Sequence, residues 1–245
     1  MLLRLITLRH LRLIFICLIL SFTAACNQTR KEASGDVGKK DFSVKSLAKN
    51  DINRMMDIYL VEIRGQLRRL MEKLYKRNPR ELRKSPYPSA DSNIQRLFSR
   101  TNNWYFRDLN DVYGTAAIEL AFSKDYRGDR VFAFVAGLTS MLMIAYDNKT
   151  EFYLYDNIDP QALYNSARNI EIASWRLNNS RDAKGDSLIY SNSRPNEEPN
   201  HSFAELFGRL TVLQDTMATI VANKSNRTIS KVIQRLATAV FLPIP

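Results

Sequence analysis

The chain has 245 residues, of which 45% are apolar, and 36 Lys and Arg against 25 Asp and Glu give a formal charge of +11. Its two cysteines, Cys17 and Cys26, lie nine residues apart and exclude a CxxC redox centre or a cysteine-built metal cage. The basic balance points to acidic partners: anionic headgroups, acidic glycans or an acidic protein face.

Residues 1–25 open with Arg4, Arg9 and Arg12 and contain no Asp or Glu. A short apolar run, Leu13 to Phe22, leads into the small residues Thr23, Ala24 and Ala25 before Cys26. A basic end, an apolar core and a small-residue cleavage site make a secretory signal. About ten apolar residues are too few to span a bilayer, which takes roughly twenty. "TAAC" resembles the lipobox of bacterial lipoproteins, in which the cysteine becomes the acylated first residue of the mature chain. The family prefers Leu where this chain has Thr23, and Thr23 with Ala25 also fits an ordinary A-x-A-like site. The resemblance covers the first 26 residues only. It implies a diacylglycerol thioether at Cys26 and, because Asn27 and not Asp follows, an outer-membrane protein facing the periplasm. Cleavage removes Cys17 and three arginines, lowering the charge from +11 to +8. Cys26 is then the sole mature cysteine. Residues 26–42 are polar and unpatterned, as a flexible tether is.

The remainder, 43–245, reads as a single all-α domain of about six helices. From Val44 to Leu74 the apolar residues recur every three or four positions, which predicts one long amphipathic helix. Asn78-Pro79 ends it. A short helix is expected after Ser92, then the aromatics Trp104, Tyr105 and Phe106. Helices are expected over 109–124 and 131–146, separated by the Tyr126–Asp129 turn. Small residues on both (Gly114, Ala117, Ala121; Ala133, Gly137, Ser140, Ala145) predict a tightly packed hairpin at the centre of the core. At sixteen residues, roughly 24 Å, the second is too short for a membrane span. Asp159-Pro160 predicts the next helix start. A polar segment follows, with "SLIYS" (187–191) as a short strand, and two helices close the chain over 202–222 and 228–241.

Catalytic signals are sparse. His201 is the one histidine of the mature chain, so no metal site of two histidines can form. Asp147, Glu151, Asp156 and Asp159 cluster in sequence but lack the register of a calcium loop. No GxSxG, GxGxxG or GxxxxGK[ST] occurs. Neither a metal nor a cofactor is implied. The aromatics near Arg96, Arg100 and Arg107 are expected to pack in the core, and nucleic acid is not an expected partner of an exported protein.

Two features of the long helix stand out. Its cations, with their extension past Pro79, are Arg64, Arg68, Arg69, Lys73, Lys76, Arg77, Arg80, Arg83 and Lys84, opposed only by Glu62, Glu72 and Glu81. They form a candidate contact surface for an anionic membrane or acidic protein. Its stripe Met56, Leu60, Ile63, Leu67, Leu70 and Leu74 has coiled-coil spacing, open to packing on this chain's own helices or on a second chain. The expectation is a lipid-anchored, non-catalytic binding or assembly module. The alternative is a periplasmic hydrolase of cell-wall or lipid substrates using Asp147, Asp156 or His201.

Overall fold

A computed structural model of the chain describes residues 51–99, 104–153, 156–192, 197–198 and 200–244. The signal, Cys26, the tether and residues 43–50 lie outside the described residues. Among the described residues, the buried core lies in the unit Ser43–Pro245.

The described chain is all-α. Its helices are α1 (Asp51–Arg77), α2 (Pro79–Leu82), α3 (Ala90–Phe98), α4 (Gly114–Phe122), α5 (Arg130–Ala145), α6 (Pro160–Asn179) and α7 (Ser202–Ser225). α1 is held by its stripe: Met56, Leu60, Ile63, Leu67, Leu70 and Leu74 are all buried against the chain's own α3, α5 and α7. Coiled-coil spacing is thus spent within the molecule. Pro79 does more than stop α1, because it opens α2 as its first residue.

α4 and α5 form the predicted hairpin, and α5 is buried around nearly its whole circumference. Gly114 (φ 59°) starts α4, and its N–H donates to Ser140 Oγ on α5 at 2.8 Å. Ser140 Oγ in turn donates to Ala136 O at 2.7 Å. α6 and α7 make a second hairpin beside the first. The α6 start follows the sequence reading, with the Asp159 carboxylate accepting from Gln161 N at 3.1 Å.

Two expected elements are absent. Residues 228–241 are not a helix: only Leu236–Thr238 forms a 3-10 turn. Asn226 ends α7 in the left-handed conformation (φ 51°), and the chain then folds over α6. Side chains on α6 hold the backbone of this segment at both ends. Gln161 Oε1 accepts from Ser230 N at 2.8 Å, Asn169 Oδ1 accepts from Leu242 N at 2.6 Å, and Asn165 Nδ2 donates to Pro243 O at 2.8 Å. The second correction is "SLIYS", which forms no strand beyond an isolated bridge between Arg181 and Ser187. Its backbone is held by side chains of the α1–α2 corner instead. Asn78 accepts from Tyr190 N and donates to Tyr190 O, both at 2.7 Å. Arg80 donates to Ser187 O at 2.6 Å and Leu188 O at 3.0 Å.

A buried acid stands at the start of α5. Asp129 caps Phe132 N at 2.9 Å and accepts from Tyr75 Oη at 2.6 Å. Burial pushes its carboxyl up to about 6, against the opposing pull of the Tyr75 hydrogen bond. A folded pKa above the ordinary 3.8 means the folded state binds more proton between pH 4 and 6. Stability supplied by this group therefore falls as pH rises through that window. Relative to Asp129→Asn, the wild type should gain up to about 3 kcal/mol between pH 7 and 4. Urea titrations of both proteins across that range check it, and a constant difference would mean Asp129 stays ionised.

Candidate functional site

The basic residues of α1 and its extension are divided between inward-bonded groups and the exposed Arg68, Arg69, Lys76 and Arg83. Arg64 is half-buried and donates to Phe98 O at 2.8 Å, and the Arg68 guanidinium lies 4.6 Å from the centre of the Phe98 ring. Burial pushes the Arg64 pKa down, and neighbouring Arg68 adds to this. Lys73 sits over the Phe203 ring, Lys76 pairs with Glu72, and Arg77 donates to Asn192 O and pairs with Glu197. Arg69 and Lys73 line a cleft of about 340 Å³ shared with α7, where Glu72, Glu205 and Arg209 leave a mixed charge. Arg83 is exposed.

Arg80 leads elsewhere. The α1–α2 corner, the α4–α5 turn and the Asp182–Asp186 turn converge around a cavity of about 550 Å³. Arg80 and Lys84 come from the corner, Lys124, Arg127 and Arg130 from the turn and the head of α5, and Lys184 from the third segment. Six cations face three carboxylates, those of Glu81, Asp182 and Asp186.

Two of the acids, Glu81 and Asp182, are already engaged. Glu81 is 1% exposed, accepts from Arg130 N at 3.0 Å at the head of α5, and holds Lys84 Nζ at 2.8 Å and Arg80 Nε at 3.4 Å. A carboxylate there meets the positive end of the helix dipole. Asp182 is occupied by its own turn, accepting from Lys184 N at 2.9 Å and Asp186 N at 3.0 Å. Arg130 is also committed, its guanidinium donating to Ala121 O, Ser123 O and Tyr126 O. Lys124, Arg127 and Lys184 are exposed and make no ion pair or side-chain hydrogen bond among the described residues. Three uncommitted cations thus rim a concave site in which the Glu81 and Asp182 carboxylates are engaged and Asp186 is the remaining acid, an excess of positive charge that suits a multivalent anion.

The cavity joins Arg80, Glu81 and Lys84 to residues of two turns that sequence reasoning passed over. Their local signal was the pair of short turns "KDYRGDR" and "DAKGD", each mixing cations with Asp and Gly. Nothing in their spacing said that the two turns meet.

The carboxylates of the hydrolase reading meet on a lysine. Asp147 and Asp156 each lie 3.0 Å from Lys149 Nζ, and these partners, Asp147 first, push the Lys149 pKa up. Asp156 also accepts from Tyr153 N at 2.7 Å, which shapes the turn. His201 is exposed at the head of α7, with no hydrogen bond or ion pair to Asp147 or Asp156 among the described residues. No cluster of three potential metal ligands occurs among the described residues, and no described helix is long and apolar enough to cross a membrane. Trp104 and Phe106 are buried, Trp104 Nε1 donating to Asn148 Oδ1 at 2.9 Å, while Tyr105 is exposed. Comparison with protein families, characterised proteins and solved structures finds no match for the chain.

Proposed function

We propose that the chain is a lipid-anchored, non-catalytic binding module of the bacterial envelope that captures an anionic component in the basic cavity between α2, the α4–α5 turn and the Asp182–Asp186 turn. The observation that carries this is the imbalance of the cavity: Lys124, Arg127 and Lys184 are free while Glu81 and Asp182 are internally bonded. Commitment of Asp147 and Asp156 to Lys149 favours binding over carboxylate catalysis. The lipobox resemblance at Cys26 supports the anchor and the outer-membrane address.

Calorimetric titration of the Ser43–Pro245 chain with inorganic pyrophosphate tests the site. Replacing Lys124, Arg127 and Lys184 together by alanine should weaken binding about tenfold or more, because each exposed pair contributes up to about 1 kcal/mol. Affinity should fall with salt. Equal binding by the triple variant would sink the site. The anchor has its own readout: Cys26→Ser should leave the precursor unprocessed or release the protein from the membrane fraction. A variant processed and fractionating like wild type removes the lipid.

A further inference from the structure

The segment after α7 has a charge and exposure pattern that the basic cavity does not account for. From Asn226 to Pro245 the chain carries Arg227, Lys231 and Arg235 and no Asp or Glu. It is tied down at two places. Ile229, Phe241 and Ile244 pack on the core, and Gln161, Asn165 and Asn169 hold the backbone at Ser230, Leu242 and Pro243. Gln234 bonds across the loop, its Oε1 accepting from Val240 N at 3.0 Å.

Between these ties the apolar side chains turn outward. Ile233 is 99% exposed, Val240 66%, Leu236 41% and Val232 40%. Leaving four large aliphatic groups in water on one short loop, beside Lys231 and Arg235, is what an interface-seeking segment does. The loop lies along the flank of α6, where Lys231, Ile233 and Leu236 share a cleft with Tyr164, Arg168 and Glu171.

We propose that the 231–240 loop is a membrane-docking element that seats Ile233, Leu236 and Val240 among the acyl chains of an anionic lipid surface, with Lys231 and Arg235 on the headgroups. The observations favour lipid over a protein partner. The exposed groups are aliphatic, and the charges within the loop itself, Lys231 and Arg235, are of one sign. The loop's own affinity for lipid does not rest on the anchor reading at Cys26.

The test is sedimentation of the Ser43–Pro245 chain, which lacks the anchor, with vesicles of phosphatidylglycerol and phosphatidylcholine, and with phosphatidylcholine alone. Binding is expected to the anionic vesicles and to fall as salt rises. Ile233→Ser with Val240→Ser should lower the partition coefficient about tenfold or more, since both are surface positions that lose only apolar contact with lipid. Lys231→Glu with Arg235→Glu should lower it by about as much. Absence of wild-type binding, or binding that survives both pairs, overturns the proposal. Binding lost in Lys124→Glu with Arg127→Glu but kept in both loop pairs also overturns it, by assigning the headgroups to the basic cavity. Capture of a protein by the loop without vesicle binding overturns it in favour of a protein partner.

Discussion

Gly137→Leu is expected to lower stability by about 3 kcal/mol or more, the upper end of what overpacking costs in a core. A Cβ at Gly137 would stand 2.7 Å from both Ile118 Cγ1 and Ile118 N and 2.8 Å from Gly114 O. Two of those three atoms are backbone, so no rotamer change relieves the clash. The hairpin would have to part, breaking the Gly114 N to Ser140 Oγ bond that joins α4 to α5. Even alanine should destabilise here, against its advantage of about 1 kcal/mol over glycine in a helix. Gly65 on α1 is the control, because a Cβ there meets nothing within 4 Å and Gly65→Ala should be neutral or stabilising. Thermal unfolding reads the result. At this chain length about 3 kcal/mol lowers the melting temperature by roughly 10 °C. An unchanged midpoint in Gly137→Leu would mean the helices do not approach through that face.

Arg130→Met should cost about 3–5 kcal/mol. The Arg130 guanidinium closes the C-terminal end of α4, donating to Ala121 O at 2.6 Å, Ser123 O at 2.8 Å and Tyr126 O at 2.7 Å. The last carbonyls of a helix have no partner within it, and a cation there also meets the negative end of the dipole. Methionine keeps the apolar stem and removes every donor. Each stranded carbonyl then costs about 1–3 kcal/mol, less for the one nearest solvent. Arg130→Lys should fall between, since an ammonium keeps the charge but cannot span three acceptors in one plane. Urea unfolding is the measurement, with the midpoint lowered at constant slope. A loss under about 1 kcal/mol in the methionine variant would show that water replaces the guanidinium.

Elements whose information is local were legible. The α1 stripe, the Asp159-Pro160 start of α6 and the small-residue hairpin all appear where periodicity, capping and side-chain size put them. Residues 228–241 show the opposite case. Ile229, Val232, Ile233, Leu236 and Val240 have helical spacing, yet Gln161 and Tyr164, nearly seventy positions earlier, bond the backbone at Ser230 and Val232, and Asn165 and Asn169 hold it just beyond at Leu242 and Pro243, in a path that is not helical. Helical propensity is a weak preference, and a set of side-chain hydrogen bonds outweighs it.

The candidate site divides along the same line. By itself the sequence determined that the chain is helical and basic and has few histidines and cysteines. It also marked Arg80 as one cation among nine. Only the tertiary structure decided which cations are free. Arg64, Arg77 and Arg80 turned inward to carbonyls of distant segments, whereas Lys124, Arg127 and Lys184 came together from two separate turns. Charge is a property of a residue, but its availability depends on which acceptors the fold brings within about 3 Å, and those acceptors are mostly backbone carbonyls that every residue possesses alike.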